Sequence, residues 1–184
     1  MMSRSFTLFS ACVFVALTSC AEMQQSPSGS AGASAKPTPA QGYSIHVMAP
    51  HKFEDGTVHG PYHHYCKPIS PEIIQCLLFE STDPNALLTD IEYFVAKSVS
   101  RAHVPLDTWN KFYHDHAVEI ATGRVQVLDR SPEEAKKIAE AAAQTDGIIF
   151  HLWWPDNAKA PSGVVKHPQS VGHKELTANE YNAK

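Results

Sequence analysis

From Tyr43 onward the apolar positions come in short runs, alternating or continuous, punctuated by Gly, Pro, Asn and Asp. That punctuation marks strands more often than helices. Tyr43 to Met48 and Tyr62 to Cys66 are predicted strands, the second closed by a Pro-bounded turn at Lys67 to Pro71. Ile73 to Glu80 is apolar on both faces, as a central strand is, and Asp83-Pro84-Asn85 ends it with turn chemistry. Leu87 to Val95 alternates, with Leu87, Ile91, Tyr93 and Val95 on one face and Asp90 and Glu92 on the other. Trp109, Phe112 and Tyr113 fall at helical spacing and predict a short helix over Leu106 to Tyr113. His114 to Ile120, a turn at Thr122-Gly123, and Arg124 to Leu128 read together as a hairpin. The strongest helix runs from Ser131 to Thr145: Ser131 caps it, Pro132 takes the first helical position and Glu134 completes a capping box. Its apolar stripe, Ala135, Ile138, Ala139 and Ala142, is narrow. Ile148 to Trp154 is a further apolar strand stopped by Pro155, and the polar, Pro-dotted stretch 156–184 is predicted to be irregular. Strands in runs with two helices between them predict one α+β domain with a mainly antiparallel sheet.

The first 41 residues follow a different pattern. Arg4 precedes a twelve-residue weakly polar to apolar run, Phe6 to Leu17. That run suits an export signal and is shorter than the roughly 20 residues a spanning helix needs. Leu17-Thr18-Ser19-Cys20 resembles the bacterial lipoprotein signal, in which cleavage precedes a cysteine that then carries lipid. Residues 1–19 are therefore expected to be the signal and Cys20 the lipidated residue, with Ala21 favouring the outer membrane and a periplasm-facing domain. An ordinary secretory signal is the alternative. Residues 20–41 hold no aromatic residue and no Val, Ile or Leu, so they cannot build a core and are expected to act as a flexible tether. Residues 42–184 are left for the domain, enough for one core.

Of four cysteines, Cys12 leaves with the signal and Cys20 is acylated, so the domain keeps Cys66 and Cys76. In an exported chain a disulfide between them is the default expectation, and two buried thiols on neighbouring strands are the alternative. The formal net charge of -4 provides no broad basic field for a nucleic acid backbone. The expected partners are the membrane, through the lipid anchor, and a small-molecule or lipid ligand.

All eleven histidines lie in the domain. In the strand reading His114 and His116 share one face with Val118 and Ile120, and His151, between Phe150 and Leu152, brings a third ring to the interior. Alternation sends one of His63 and His64 inward. With Glu92 or Glu119 as carboxylate, His64, His114, His116 and His151 form a sufficient set of ligands for one divalent transition metal, whether zinc, iron, copper or manganese. The competing reading leaves each ring buried and hydrogen-bonded for structure alone. His114-Asp115-His116-x-x-Glu119 also resembles the cupin metal motif and makes a cupin-like β-barrel the alternative fold. In a strand, however, Glu119 has the opposite parity to the two histidines. Nucleophile elbows, phosphate-binding glycine loops and dinucleotide fingerprints are absent from the sequence.

An ordered series of segments supports a family resemblance. His63-His64-Tyr65-Cys66, Gln75-Cys76 leading into Phe79-Glu80-Ser81, Ile91-Glu92-Tyr93, His114-Asp115-His116 with Glu119 and Gly123, and Phe150-His151-Leu152-Trp153 resemble, in that order, the oil body-associated protein family of plants. The resemblance covers about Tyr43 to Trp154. It implies a single α+β domain and, for the plant members, association with lipid droplets. It implies no activity, substrate or catalytic residue. The expected function is that of a cell-envelope lipoprotein whose His-rich domain binds a small ligand, metal or lipid. The alternatives are a metal-dependent enzyme built on the His cluster and a structural envelope protein.

Overall fold

A computed structural model of the chain describes residues 38–183, so the expected signal, Cys20 and the tether before residue 38 lie outside the described residues. The elements follow in the order β1 (Ile45–Lys52), β2 (Val58–Pro68), β3 (Ile73–Phe79), β4 (Leu88–Ala96), α1 (Lys97–His103), α2 (Leu106–Phe112), β5 (Tyr113–Asp115), α3 (His116–Ala121), β6 (Gln126–Leu128), α4 (Pro132–Ala142), β7 (Thr145–His151), β8 (Gln169–Ser170) and α5 (Ala178–Asn182). All the strands belong to one curled, antiparallel sheet in the order β5-β7-β4-β3-β2-β1-β6, with β8 added beside β1. The fold is α+β, as the pattern predicts.

Register places the interior side chains in rows across the strands. Glu92, in the middle of β4, lies in a row with Ile45, Cys66, Cys76 and Ile149. The row on one side holds Val47, His64, Leu78, Asp90 and His151. The row on the other holds Pro68, Ile74, Phe94, Gly147 and His114. Three adjacent rows thus deliver Glu92, His64 and His114 to one surface. Cys66 and Cys76 face each other across β2 and β3 and are joined by a disulfide, the centre of a buried apolar cluster with Leu78 and Phe94.

The structure departs from the pattern in four places. On β4 the buried face is the polar one, carrying Asp90 and Glu92, while Ile91 and Tyr93 are only half-buried. His114 to Ile120 is not a strand of a hairpin: only Tyr113–Asp115 is extended, and α3 begins at His116. Asp115 caps that helix by accepting a hydrogen bond from the Ala117 amide at 2.7 Å, and Ala117, Glu119 and Ala121 are good helix formers. The expected partner strand, β6, pairs instead with β1. There are five short helices among the described residues where two were expected. The predicted irregular tail contributes β8 and α5, although most of it has no regular structure.

Candidate metal centre

Glu92 is 2 % exposed, and its two carboxylate oxygens divide the histidines between them. Oε1 lies 3.2 Å from His114 Nε2 and 3.2 Å from His116 Nε2. Oε2 lies 3.3 Å from His64 Nε2, which is in turn 3.1 Å from His51 Nε2. Two triads, Glu92-His114-His116 and Glu92-His64-His51, therefore share one carboxylate, each with its donor atoms within 4.8 Å of one another. Glu119 joins the first triad, its Oε2 3.9 Å from His114 Nε2 and 4.0 Å from His116 Nε2. The strand reading set Glu119 on the wrong face. In a helix it stands three residues beyond His116 and so lies on the same side.

The outer hydrogen bonds fix which nitrogen each ring presents. Thr145 donates its hydroxyl proton to the Ala142 carbonyl, so it accepts from His116 Nδ1 at 2.8 Å. His64 Nδ1 donates to the Tyr62 carbonyl. Both rings therefore turn Nε2 toward Glu92, and each Nε2 opposite the carboxylate needs a proton or a cation between them. His114 is fully buried, and neither of its ring nitrogens has a hydrogen-bond partner among the described residues. An orphaned buried donor set of this kind calls for an explanation, and an ion is one of the standard ones. Ligand atoms on a tetrahedron with bonds of roughly 2.0–2.1 Å are about 3.3 Å apart. The 3.2 Å separations of both His114 Nε2 and His116 Nε2 from Glu92 Oε1 match such an edge.

Gly147 makes the approach possible. A Cβ on it would fall against His114 Nε2, 2.6 Å from His114 Cε1 and 2.7 Å from Glu92 Oε1. Its neighbour Asp146 anchors the same corner, accepting from Ser100 Oγ at 2.6 Å, Trp109 Nε1 at 2.9 Å and Arg101. Arg101 also binds Asp115, which sits between His114 and His116, at 2.8 Å. One guanidinium thus holds both strands of the β5-β7 pair where they present the ligands.

The electrostatics follow from burial opposed by neighbours. Burial alone raises the Glu92 carboxyl, but the imidazoles of His114, His116 and His64 around it hold it well below the usual carboxylate range. Burial alone depresses His64, and the Glu92 carboxylate reverses that, leaving it raised. Glu119 is pushed up to about 7, chiefly by burial, and the Glu92 charge adds to the shift. Two carboxylates this close cannot both ionise cheaply without a cation.

His151, expected as a ligand, is not brought to this centre. Its Nδ1 donates to Asp90 at 2.8 Å and its Nε2 to Asp156 at 2.9 Å. Both nitrogens face acceptors, so the ring is a cation that has no lone pair for a metal. Its pKa is raised accordingly: burial works downward and is outweighed by Asp90 and Asp156. Asp90, also 3.8 Å from His51 Nδ1, is held at about 2 by His151 and His51 against the effect of burial. His63 is the outward member of its pair and meets His46 at 3.0 Å on the other face. His51, Asp90, Gly147 and Arg101 are site residues that the sequence pattern does not single out. The carboxylate face of Leu87 to Val95 pointed to Asp90, but His51 lies opposite His59 in the β1-β2 register, and only the folded side chains bring its ring to His64.

A cavity of about 230 Å³ opens onto the centre between the sheet, α3 and α4. Its polar lining consists of His64, Glu92, His116 and Glu119, and every other lining side chain is apolar.

Comparison with known proteins gives a consistent grouping. The family model described as "Protein of unknown function (DUF1264)" matches residues 37–182. Oil body-associated protein 1B of Arabidopsis thaliana is 31% identical over 94 residues, 51% of this chain and 38% of the relative. Oil body-associated protein 2B of Zea mays is 28% identical over 100 residues, 53% of this chain and 38% of the relative. Oil body-associated protein 2C of Arabidopsis thaliana is 32% identical over 120 residues, 60% of this chain and 47% of the relative. The chain thus spans less than half the length of these curated relatives. No solved structure matches it.

Proposed function

The chain belongs to the DUF1264 family of proteins of unknown function, and from that premise we propose that its domain binds one divalent transition metal through His114, His116 and Glu92, with Glu119 as the fourth ligand. The observation that carries this reading is the fully buried, unpartnered His114 ring with its Nε2 3.2 Å from Glu92 Oε1, beside a second imidazole at the same distance. Two imidazoles and two carboxylates suit zinc, iron or manganese. His64 and His51, on the other oxygen of Glu92, orient that carboxylate. The test is elemental analysis of the purified domain, followed by titration with zinc, iron, copper and manganese. Stoichiometric binding should raise the melting temperature, and His116→Ala should abolish that gain. An unchanged melting temperature with all four metals would leave the cluster a structural network.

A second reading, metal-dependent catalysis, is favoured by one observation: the apolar cavity ends at His116 and Glu119. In that reading Glu119 stays off the metal, and a carboxyl beside a metal can serve as general acid or base. The relatives' names place those proteins at oil bodies. For this chain we propose a membrane surface instead, reached through lipidation of Cys20 at the outer membrane. Intact mass of the protein from membranes tests this, with acylation expected in the wild type and lost in Cys20→Ala.

A further inference from the structure

The cavity above the centre exists because of the composition of α4. That helix turns Ile138, Ala139 and Ala142 toward the sheet, and none of its residues is buried. Alanines there hold the helix over the concave face without filling the space beneath it, where larger side chains would close the gap. At about 230 Å³ the space exceeds the roughly 150 Å³ of an apolar cavity that stays dry and takes up benzene. Scaling from benzene's six heavy atoms gives room for about nine. Ile45, Val47, Phe94, Ile120 and Val127 form much of the wall, and the polar side chains all belong to the His-carboxylate cluster. A few convergent polar groups in an apolar enclosure are the usual build of a small-molecule site.

We propose that this cavity receives an apolar molecule of about nine heavy atoms bearing one terminal oxygen donor, with the apolar body under α4 and the oxygen added to the metal as a fifth ligand beside Glu92, His114, His116 and Glu119. The proposal rests on the metal reading given above. Apolar walls offer the body contact and no competing hydrogen bonds, so the terminal group alone sets the orientation. A molecule with polar groups along its length would leave them unpaired and be excluded.

The experiment uses cobalt as the metal, because its visible absorption reports its ligands. Cobalt-loaded protein is titrated with octanoate and, separately, with acetate, which carries the same head without the body. Octanoate should change the cobalt spectrum with at least tenfold higher affinity than acetate. In Ala139→Leu/Ala142→Leu, which fills the cavity, cobalt should bind as in the wild type while octanoate falls to the affinity of acetate. Val127→Phe, on the opposite wall, serves the same purpose if the double variant does not fold. Failure of cobalt to bind would remove the metal centre and this proposal together. Cobalt binding with octanoate no better than acetate, or with octanoate unaffected by the filled cavity, would overturn this proposal and leave the metal centre standing.

Discussion

Adding a single methyl group at Gly147 is the sharpest perturbation of the centre. Gly147 is not at positive φ, so its backbone tolerates alanine, and in isolation Gly→Ala would stabilise the chain by about 0.4–1 kcal/mol. The new Cβ, however, would lie 2.6 Å from His114 Cε1 and 2.7 Å from Glu92 Oε1, where about 3.5 Å or more is comfortable. Both side chains are buried and must move by close to an ångström, and overpacking of that degree costs about 1–3 kcal/mol. Movement of two ligands at once should also weaken metal binding by at least the roughly 10–100-fold seen when outer-shell support is lost. Denaturant unfolding of wild type, Gly147→Ala, His114→Ala and the double variant, with and without zinc, measures both effects. Removing the His114 ring vacates the space, so the double variant should be more stable than the sum of the single losses by about 1 kcal/mol or more. Gly147→Ala as stable as wild type, with unchanged zinc affinity, would refute the close packing on which the centre depends.

Arg101→Met leaves the buried Asp146 without its cation, while Asp115 keeps Lys97 at 2.6 Å, and should cost about 3–5 kcal/mol in denaturant unfolding as well as weakening metal binding. The Cys66–Cys76 disulfide closes a short loop, so its reduction should lower stability by about 2–3 kcal/mol, and thiol titration of the unreduced, denatured domain should find neither cysteine free. In chelator-treated protein Glu119 keeps its proton up to about 7 when folded but loses it near 4.5 when unfolded, so stability should fall as pH rises between those values, by about 3 kcal/mol in all. Glu119→Gln should flatten that fall. Asp90 contributes in the opposite sense: held at about 2 against 3.8 unfolded, it stabilises the fold by about 2 kcal/mol above pH 4, and that contribution should disappear as pH drops from 3.8 toward 2, an acid-unfolding limb that Asp90→Asn should lack.

Most of the sheet was legible in the sequence because its strands carry period-two patterns bounded by turn residues, and α4 because Ser131, Pro132 and Glu134 spell out its start. The segment after His114 was not. His-Asp-His alternates like a strand, yet Asp115 is a helix cap whose effect depends on its side chain reaching the Ala117 amide. That single misreading separated Glu119 from the histidines it faces. His151 was misplaced for a different reason: strand parity correctly sends it inward, but parity cannot say whether the neighbour across the sheet is Glu92 or Asp90. Register decides that, and register is a property of pairing across long sequence distances. Gly147 carried no signal of its own, since its role comes from the side chains of two other strands.

X-ray absorption at the zinc edge of the loaded domain tests the central claim most directly. The account predicts one ion per chain, bonded at roughly 2.0–2.1 Å to two imidazole nitrogens and to carboxylate oxygen. His114→Ala and His116→Ala should each remove one imidazole contribution, while His151→Ala leaves the spectrum unchanged. A spectrum of hydrated zinc, or one altered by His151→Ala and indifferent to His114 and His116, would contradict it.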